Sequence, residues 1–288
     1  MTGIINVLKP PGMTSHDVVA FVRRTLGEKK AGHAGTLDPA AAGVLPVFLG
    51  QATRIIEYTT DCSKSYRAEL TFGYETDTGD DTGEVLRSAP YPGIAAEQIE
   101  TVLASFAGTS RQIPPMYSAV KVAGRKMYEL ARAGMTVERE ARTIFIDSIQ
   151  LIKITEAGIL FDVTCSKGTY IRSLCMDIGQ KLGYPAVMSF LVRTRVGNFT
   201  LADAVLLEQI AEQKEAVILP LDYALGHMPQ ITLNSETAKR LQNGQAVETG
   251  GSPAGLFRIY DHSNRLVGIG RQQPDSVYLT PVKVLNLG

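Results

Sequence analysis

The residues able to do chemistry cluster in a few short segments. The densest is Gly32-His33-Ala34-Gly35-Thr36-Leu37-Asp38-Pro39, with an imidazole, a hydroxyl and a carboxylate inside six residues of a glycine-rich stretch. Glycines let a backbone approach a ligand closely, and Pro39 stiffens the position after Asp38. A carboxylate held this way can act as nucleophile or base. The competing reading is a polar turn in which Asp38 only caps a following helix. A second segment, Ser166-Lys167-Gly168-Thr169-Tyr170-Ile171-Arg172-Ser173-Leu174, sets Tyr170 and Arg172 two apart, where they can share one face at a strand end. A phenol suits a flat base and a guanidinium suits a carboxylate. The competing reading is a strand-to-helix turn with Arg172 exposed. Lys64-Ser65-Tyr66 is a weaker third signal, since a single tyrosine is usually a core or rim residue.

Other chemistries find little support. Asp77-Thr78-Gly79-Asp80-Asp81-Thr82-Gly83-Glu84 resembles a calcium loop only superficially, with Gly79 where a ligand should stand. Gly268-Ile269-Gly270 lacks the rest of a dinucleotide fingerprint. His16, His33, His227 and His262 form no H-x-x-x-H pair, and Cys62, Cys165 and Cys175 form no C-x-x-C, so neither a zinc site nor a disulfide framework is expected. No apolar run reaches the length that spans a bilayer, and the N-terminus lacks the basic and apolar regions of a secretory signal.

The formal net charge is zero, but its distribution is uneven. From Thr109 to Phe145 there are seven basic residues (Arg111, Lys121, Arg125, Lys126, Arg132, Arg139, Arg142) against three acids. From Thr164 to Gly197 there are five bases and one acid, Asp177. Segregated charge can line a basic groove on a neutral protein, which is what phosphate binding requires. A patchwork of solvated faces is the alternative.

These segments need elements to position them. Ile4 to Leu8 reads as a strand ending in the turn Lys9-Pro10-Pro11-Gly12. Thr14-Ser15 caps a helix with apolar face Val18, Val19, Val22 and Leu26, and Gly27 stops it. Gly32 to Gly43 is a loop, Val44 to Leu49 a buried strand, and Tyr66 to Tyr74 an alternating half-buried strand. A helix is expected over 94–106, an excursion from the sheet over 112–134, strands over 143–154 and 158–166, and a helix over 172–182. Near Pro229 a second unit begins, with a helix from Ser235 and short strands punctuated by Gly and Pro, as in a small β-barrel. Strands and helices without regular βαβ alternation predict an α+β fold with a largely antiparallel sheet.

Taken together, the segments resemble the bacterial tRNA pseudouridine synthase B (TruB) family. Lys9-Pro10-Pro11-Gly12-Met13-Thr14-Ser15, the Gly32–Pro39 segment, Lys64-Ser65-Tyr66, Pro114-Pro115-Met116-Tyr117-Ser118-Ala119-Val120-Lys121, Lys167 to Leu174 and Leu191-Val192-Arg193-Thr194 follow in the family's order. The last 60 residues look like a PUA domain, more loosely matched. The resemblance implies a pseudouridine synthase sheet flanked by helices over residues 1–228, with an RNA-gripping insertion at 109–145, and a PUA-like RNA-binding domain over 229–288. It implies isomerisation of uridine 55 in the T-loop of tRNA, with base flipping and without metal or other cofactor. Asp38 would be the essential aspartate, Arg172 its partner, and Tyr66 the ring that stacks on the uracil and helps remove the C5 proton. His33, Tyr170, Leu191, Lys9 and Lys121 would contact the substrate. The partner would be the T-loop and T-stem of tRNA, not DNA or a membrane, and the chain a cytoplasmic monomer.

Two other readings stay open. The guide-RNA-dependent pseudouridine synthases share the motifs and a PUA domain, but this chain has no obvious added basic tail for assembly with partner proteins. A role in opening and refolding tRNA is compatible with the enzyme reading.

Overall fold

The computed structural model describes residues 1–118, 120–122, 124–135, 137–251 and 253–285. The chain divides into two compact units, one of residues 1–39, 43–60 and 196–288, the other of 40–42 and 61–195. The fold is α+β, as composition and pattern predict.

In the first unit, strand Gly3–Lys9 pairs antiparallel with Ala42–Leu49, and the short strand Ala31–His33 pairs along the same partner. Both long strands are buried almost end to end, Ala42–Leu49 through apolar residues and Gly3–Lys9 with Asn6 and Lys9 as its buried polar residues. Helix Ser15–Leu26 covers them through Val18, Val19 and Val22. Its start is a capping box: the Thr14 side chain accepts from Asp17 N–H, and the Asp17 carboxylate accepts from Thr14 N–H. Gly27 ends it in the left-handed conformation at φ 65°.

The C-terminal part of this unit is a five-stranded sheet of the PUA-like kind, in the order Gln230–Leu233, Gly255–Asp261, Leu266–Gln272, Tyr278–Val284 and Val247–Glu248. Leu241, Val247, Ile259 and Leu279 pack inside it. Tyr260, Ile269 and Leu285 join a larger cluster with Ile4, Val44, Phe48 and Ile55. The Tyr260 hydroxyl donates to Asp222 at 2.8 Å, and Lys283 pairs with Glu57 at 2.9 Å.

In the second unit the sheet runs Ala186–Val196, Lys64–Phe72, Gly158–Cys165, Arg142–Ile154, Gly108–Gln112. The last four are successively antiparallel. The strand expected over 66–74 is Lys64–Phe72, alternating as expected with Ala68, Leu70 and Phe72 inward. Ala186–Val196, 11 residues long, has no counterpart among the expected strands. Its start, Ala186-Val187-Met188, is buried without alternation, so a period-two pattern does not reveal it. The helix expected over 94–106 is shorter, Ala96–Ala104, and no side chain caps its start. Helix Ile171–Leu182 follows the Gly-Thr-Tyr turn.

Candidate active site

In the first unit the Asp38 segment leaves strand Ala31–His33 and turns at Gly35, whose φ of 85° suits a residue without Cβ. Ala34 and Leu37 are buried, while the Asp38 side chain is half-buried. Both neighbours of Asp38 are gripped. The Ser15 hydroxyl accepts from Leu37 N–H at 2.9 Å and donates to Leu37 C=O at 3.2 Å. On the other side, the Pro39 carbonyl accepts from Gly12 N–H at 2.8 Å and from the Lys9 ammonium at 3.1 Å. Lys9 also donates to Pro10 C=O at 2.9 Å. Lys9, for which the resemblance implies a substrate contact, is fully buried, and these bonds turn its charge onto the backbone of the two turns. The element after Asp38 is strand Ala42–Leu49, so Asp38 caps no helix there. His33 is half-buried, its ring edge-on to His16 at 5.5 Å between centroids.

In the second unit Tyr170 and Arg172 sit at a helix start, not at a strand end. Tyr170 is the N-cap of Ile171–Leu182 and Arg172 is the second helical residue. A cation there opposes the helix dipole. Oxygen ligands offset this: Arg172 Nη1 donates to Thr78 C=O at 2.8 Å, Nη2 donates to Tyr117 C=O at 2.7 Å, and Nε lies 3.8 Å from the Asp80 carboxylate. The guanidinium is buried rather than exposed. The Asp77–Glu84 segment therefore serves an arginine. Thr78 Oγ and the Thr82 amide and hydroxyl converge on Asp80 Oδ1, and Gly79, at φ 75°, passes so close to Met176 that a Cβ would lie 3.1 Å from its methyl. Among the described residues no three His, Cys, Asp or Glu side chains are placed to hold a metal.

Tyr170 is fixed by a residue the sequence did not single out. Buried Gln112 accepts from Tyr170 N–H at 2.8 Å and donates to Tyr170 C=O at 3.0 Å, supplying the cap that no local side chain provides. Ser173 Oγ donates to Ile113 C=O at 3.1 Å. The root of the 109–145 excursion is thus tied to the helix carrying Arg172 at residues 170, 172 and 173. Lys121 lies in the short strand Lys121–Val122, and its side chain is outside the described residues.

Tyr66 is buried on Lys64–Phe72, and its phenol is hydrogen-bonded to Arg193, a fully buried arginine on Ala186–Val196. Leu191, also buried, is two residues before Arg193 on that strand. Lys64 shares the inward face of Tyr66 and donates to Cys62 C=O at 3.0 Å. Burial first, then the charge of Arg193, pushes Lys64 down to about 8. Arg193 and Asp80 emerge only in three dimensions, although Arg193 lies inside a motif quoted above.

The chain matches three family models: "TruB family pseudouridylate synthase (N terminal domain)" over residues 23–171, "tRNA pseudouridylate synthase B C-terminal domain" over 172–226, and "Pseudouridine synthase II TruB, C-terminal" over 229–285. It is 52% identical to tRNA pseudouridine synthase B of Alkaliphilus oremlandii (strain OhILAs), across 86% of this chain and 83% of that one. It is 45% identical to tRNA pseudouridine synthase B of Caldanaerobacter subterraneus subsp. tengcongensis, across 96% of each chain. Among solved structures, a chain from "Structure of H/ACA RNP bound to a substrate RNA containing 2'-deoxyuridine" aligns with a TM-score of 0.77 at 26% identity, covering 99% of this chain and 85% of that one.

Proposed function

The chain belongs to the TruB family of pseudouridine synthases, and from this we propose that it isomerises uridine 55 in the T-loop of tRNA, with Asp38 as the catalytic aspartate. The observation that carries the residue assignment is the anchoring of the Asp38 loop. Leu37 is held by Ser15 and Pro39 by Lys9 and Gly12, so the backbone is fixed on both sides of a carboxylate that is itself only half-buried. Such fixing is what a reacting group needs, because misplacement of about 1 Å can cost a hundredfold in rate.

The reaction moves one bond. N1–C1′ breaks, the uracil turns, C5 bonds to C1′, the C5 proton leaves and N1 gains one. Nothing is added overall, so no cofactor is required. Asp38 starts the cleavage by attack at C6 or C1′, or by taking a proton from C2′. Arg172 supplies the cation that the family resemblance assigns to the reaction. The target base leaves its stack at a cost of a few kcal/mol, and stacking on Tyr66 returns about 1–3 kcal/mol of it. Tyr170 and Leu191 line the base pocket, and His33 and Lys121 meet the RNA. Lys9, buried beneath the loop, influences RNA through the loop it holds. Residues 1–228 form the synthase domain with its gripping insertion at 109–145, and 229–288 add RNA contacts. The protein works as a cytoplasmic monomer.

The test is tritium release from a tRNA transcript labelled at uridine C5. One equivalent per tRNA is expected from the wild-type protein and none from Asp38→Ala. Asp38→Asn is expected to bind tRNA as tightly as wild type, which separates catalysis from a pure RNA-folding role. Release at several sites, or undiminished release by Asp38→Ala, overturns the proposal.

A further inference from the structure

Resting on the reading above, we propose that Arg193 is a positioning residue that makes the Tyr66 phenol the base for the C5 proton, its buried guanidinium donating to the phenolic oxygen.

Three observations carry this. First, Arg193 is 1% exposed and Lys64 6% exposed, so two buried basic side chains accompany Tyr66, Lys64 on the same strand face and Arg193 at the phenol, with almost no water to screen them. Second, the guanidinium has donors only, so the phenolic oxygen must offer it a lone pair and the phenol's own proton must point away from Arg193. Third, the two groups favour each other's charged forms. Burial lowers the proton affinity of Arg193, and the Tyr66 contact works against that loss. By reciprocity the cation favours the phenolate over the phenol. Arg193 acts on Lys64 together with Cys62, Cys165 and Asp61, and Arg195 acts on Cys62. Cys165 is pushed up to about 11 by burial and stays a neutral thiol at physiological pH. The exposed Asp61 carboxylate pairs with Lys167 at 2.7 Å.

The step balances without a co-reactant. Tyr66 loses its proton to solvent before the chemistry. Once C5 is bonded to C1′, the phenolate takes the C5 proton, and the C–H electron pair restores the C5–C6 double bond. N1 takes a proton from water, and the phenol later returns its own to water.

The experiment measures tritium release from C5-labelled tRNA in single turnover, with enzyme in excess, across pH. Wild type, Arg193→Gln, Arg193→Lys and protein carrying 3-fluorotyrosine at position 66 are compared. The rate is expected to rise with pH to a plateau. Arg193→Gln should move the midpoint up by at least one unit, a tenfold loss below it, with tRNA affinity retained. Arg193→Lys should restore most of the shift, and fluorotyrosine should move the midpoint down. If Arg193→Gln fails to fold, the lysine and fluorotyrosine arms decide. A midpoint indifferent to fluorotyrosine, a uniform slowing by Arg193→Gln without a shift, or a midpoint with Arg193→Lys as high as with Arg193→Gln, overturns the inference while stoichiometric release still supports the isomerase reading. Absence of wild-type release would overturn both.

Discussion

Asp38 and Arg172 are held in opposite ways. Asp38 is held through its neighbours: Leu37 and Pro39 carry the bonds from Ser15, Gly12 and Lys9 on either side of it. Arg172 is fixed by its own head, which spans the carbonyls of Thr78 and Tyr117 beside Asp80. One residue is presented by a frame and the other is the frame for two segments. Substitutions at the first should therefore remove activity and spare the fold, whereas substitutions at the second should cost both.

The sharpest break of that contrast is Asp38→Ala. Turnover is expected to fall by several orders of magnitude while the free energy of unfolding stays within about 0.5 kcal/mol of wild type, the range of changes that disturb no packed feature. A large loss of stability would mean that the carboxylate is part of the frame after all. Arg172→Ala should lower both turnover and stability, the latter by about 3–5 kcal/mol, because Asp80 is left without its cation and two part-buried carbonyls without their donor. Arg172→Lys, which keeps charge but not the fork, should recover only part of this.

Lys64 tests a buried cation in the same unit. Its folded value of about 8 lies below the ordinary 10.5. Between those pH values the unfolded chain binds more protons than the folded one, so stability rises with pH through the window and the full cost stands below it. Lys64→Met should flatten that slope, by at most about 3 kcal/mol, in urea titrations at pH 7 and 10. Ser15→Ala strips Leu37 of both partners and should cost about 1–3 kcal/mol, with a fall in turnover larger than any fall in tRNA affinity. A smaller effect is expected for the exposed Arg125 of the excursion. Arg125→Ala should lower the slope of log affinity against log salt by about 0.7–0.9 if it meets one phosphate. An unchanged slope would put the RNA path elsewhere.

Some of this was legible in the residues. The capped start of Ser15–Leu26 stands where its pattern put it, the strand expected over 66–74 lies at Lys64–Phe72, and the loop expected over 32–43 is bounded by strands that take its first and last residues. Ala186–Val196 was missed because its apolar start lies buried without alternation, and with it went the strand that brings Arg193 under Tyr66. The helix expected over 172–182 is Ile171–Leu182, but the residue that satisfies its start was not legible, because Tyr170 offers no side-chain cap and its partner is Gln112, 58 residues away.

By itself the sequence determined the α+β class, the family motifs and which residue types could react, because those depend on periods and turns of a few residues. Only the tertiary structure decided that Asp80 stands beside Arg172, that Lys9 is buried against Pro39, and that Arg193 meets the Tyr66 phenol. Each is a match between a buried charge or polar group and a distant partner. The cost of burying such a group without one is settled where segments meet in space, not along the chain.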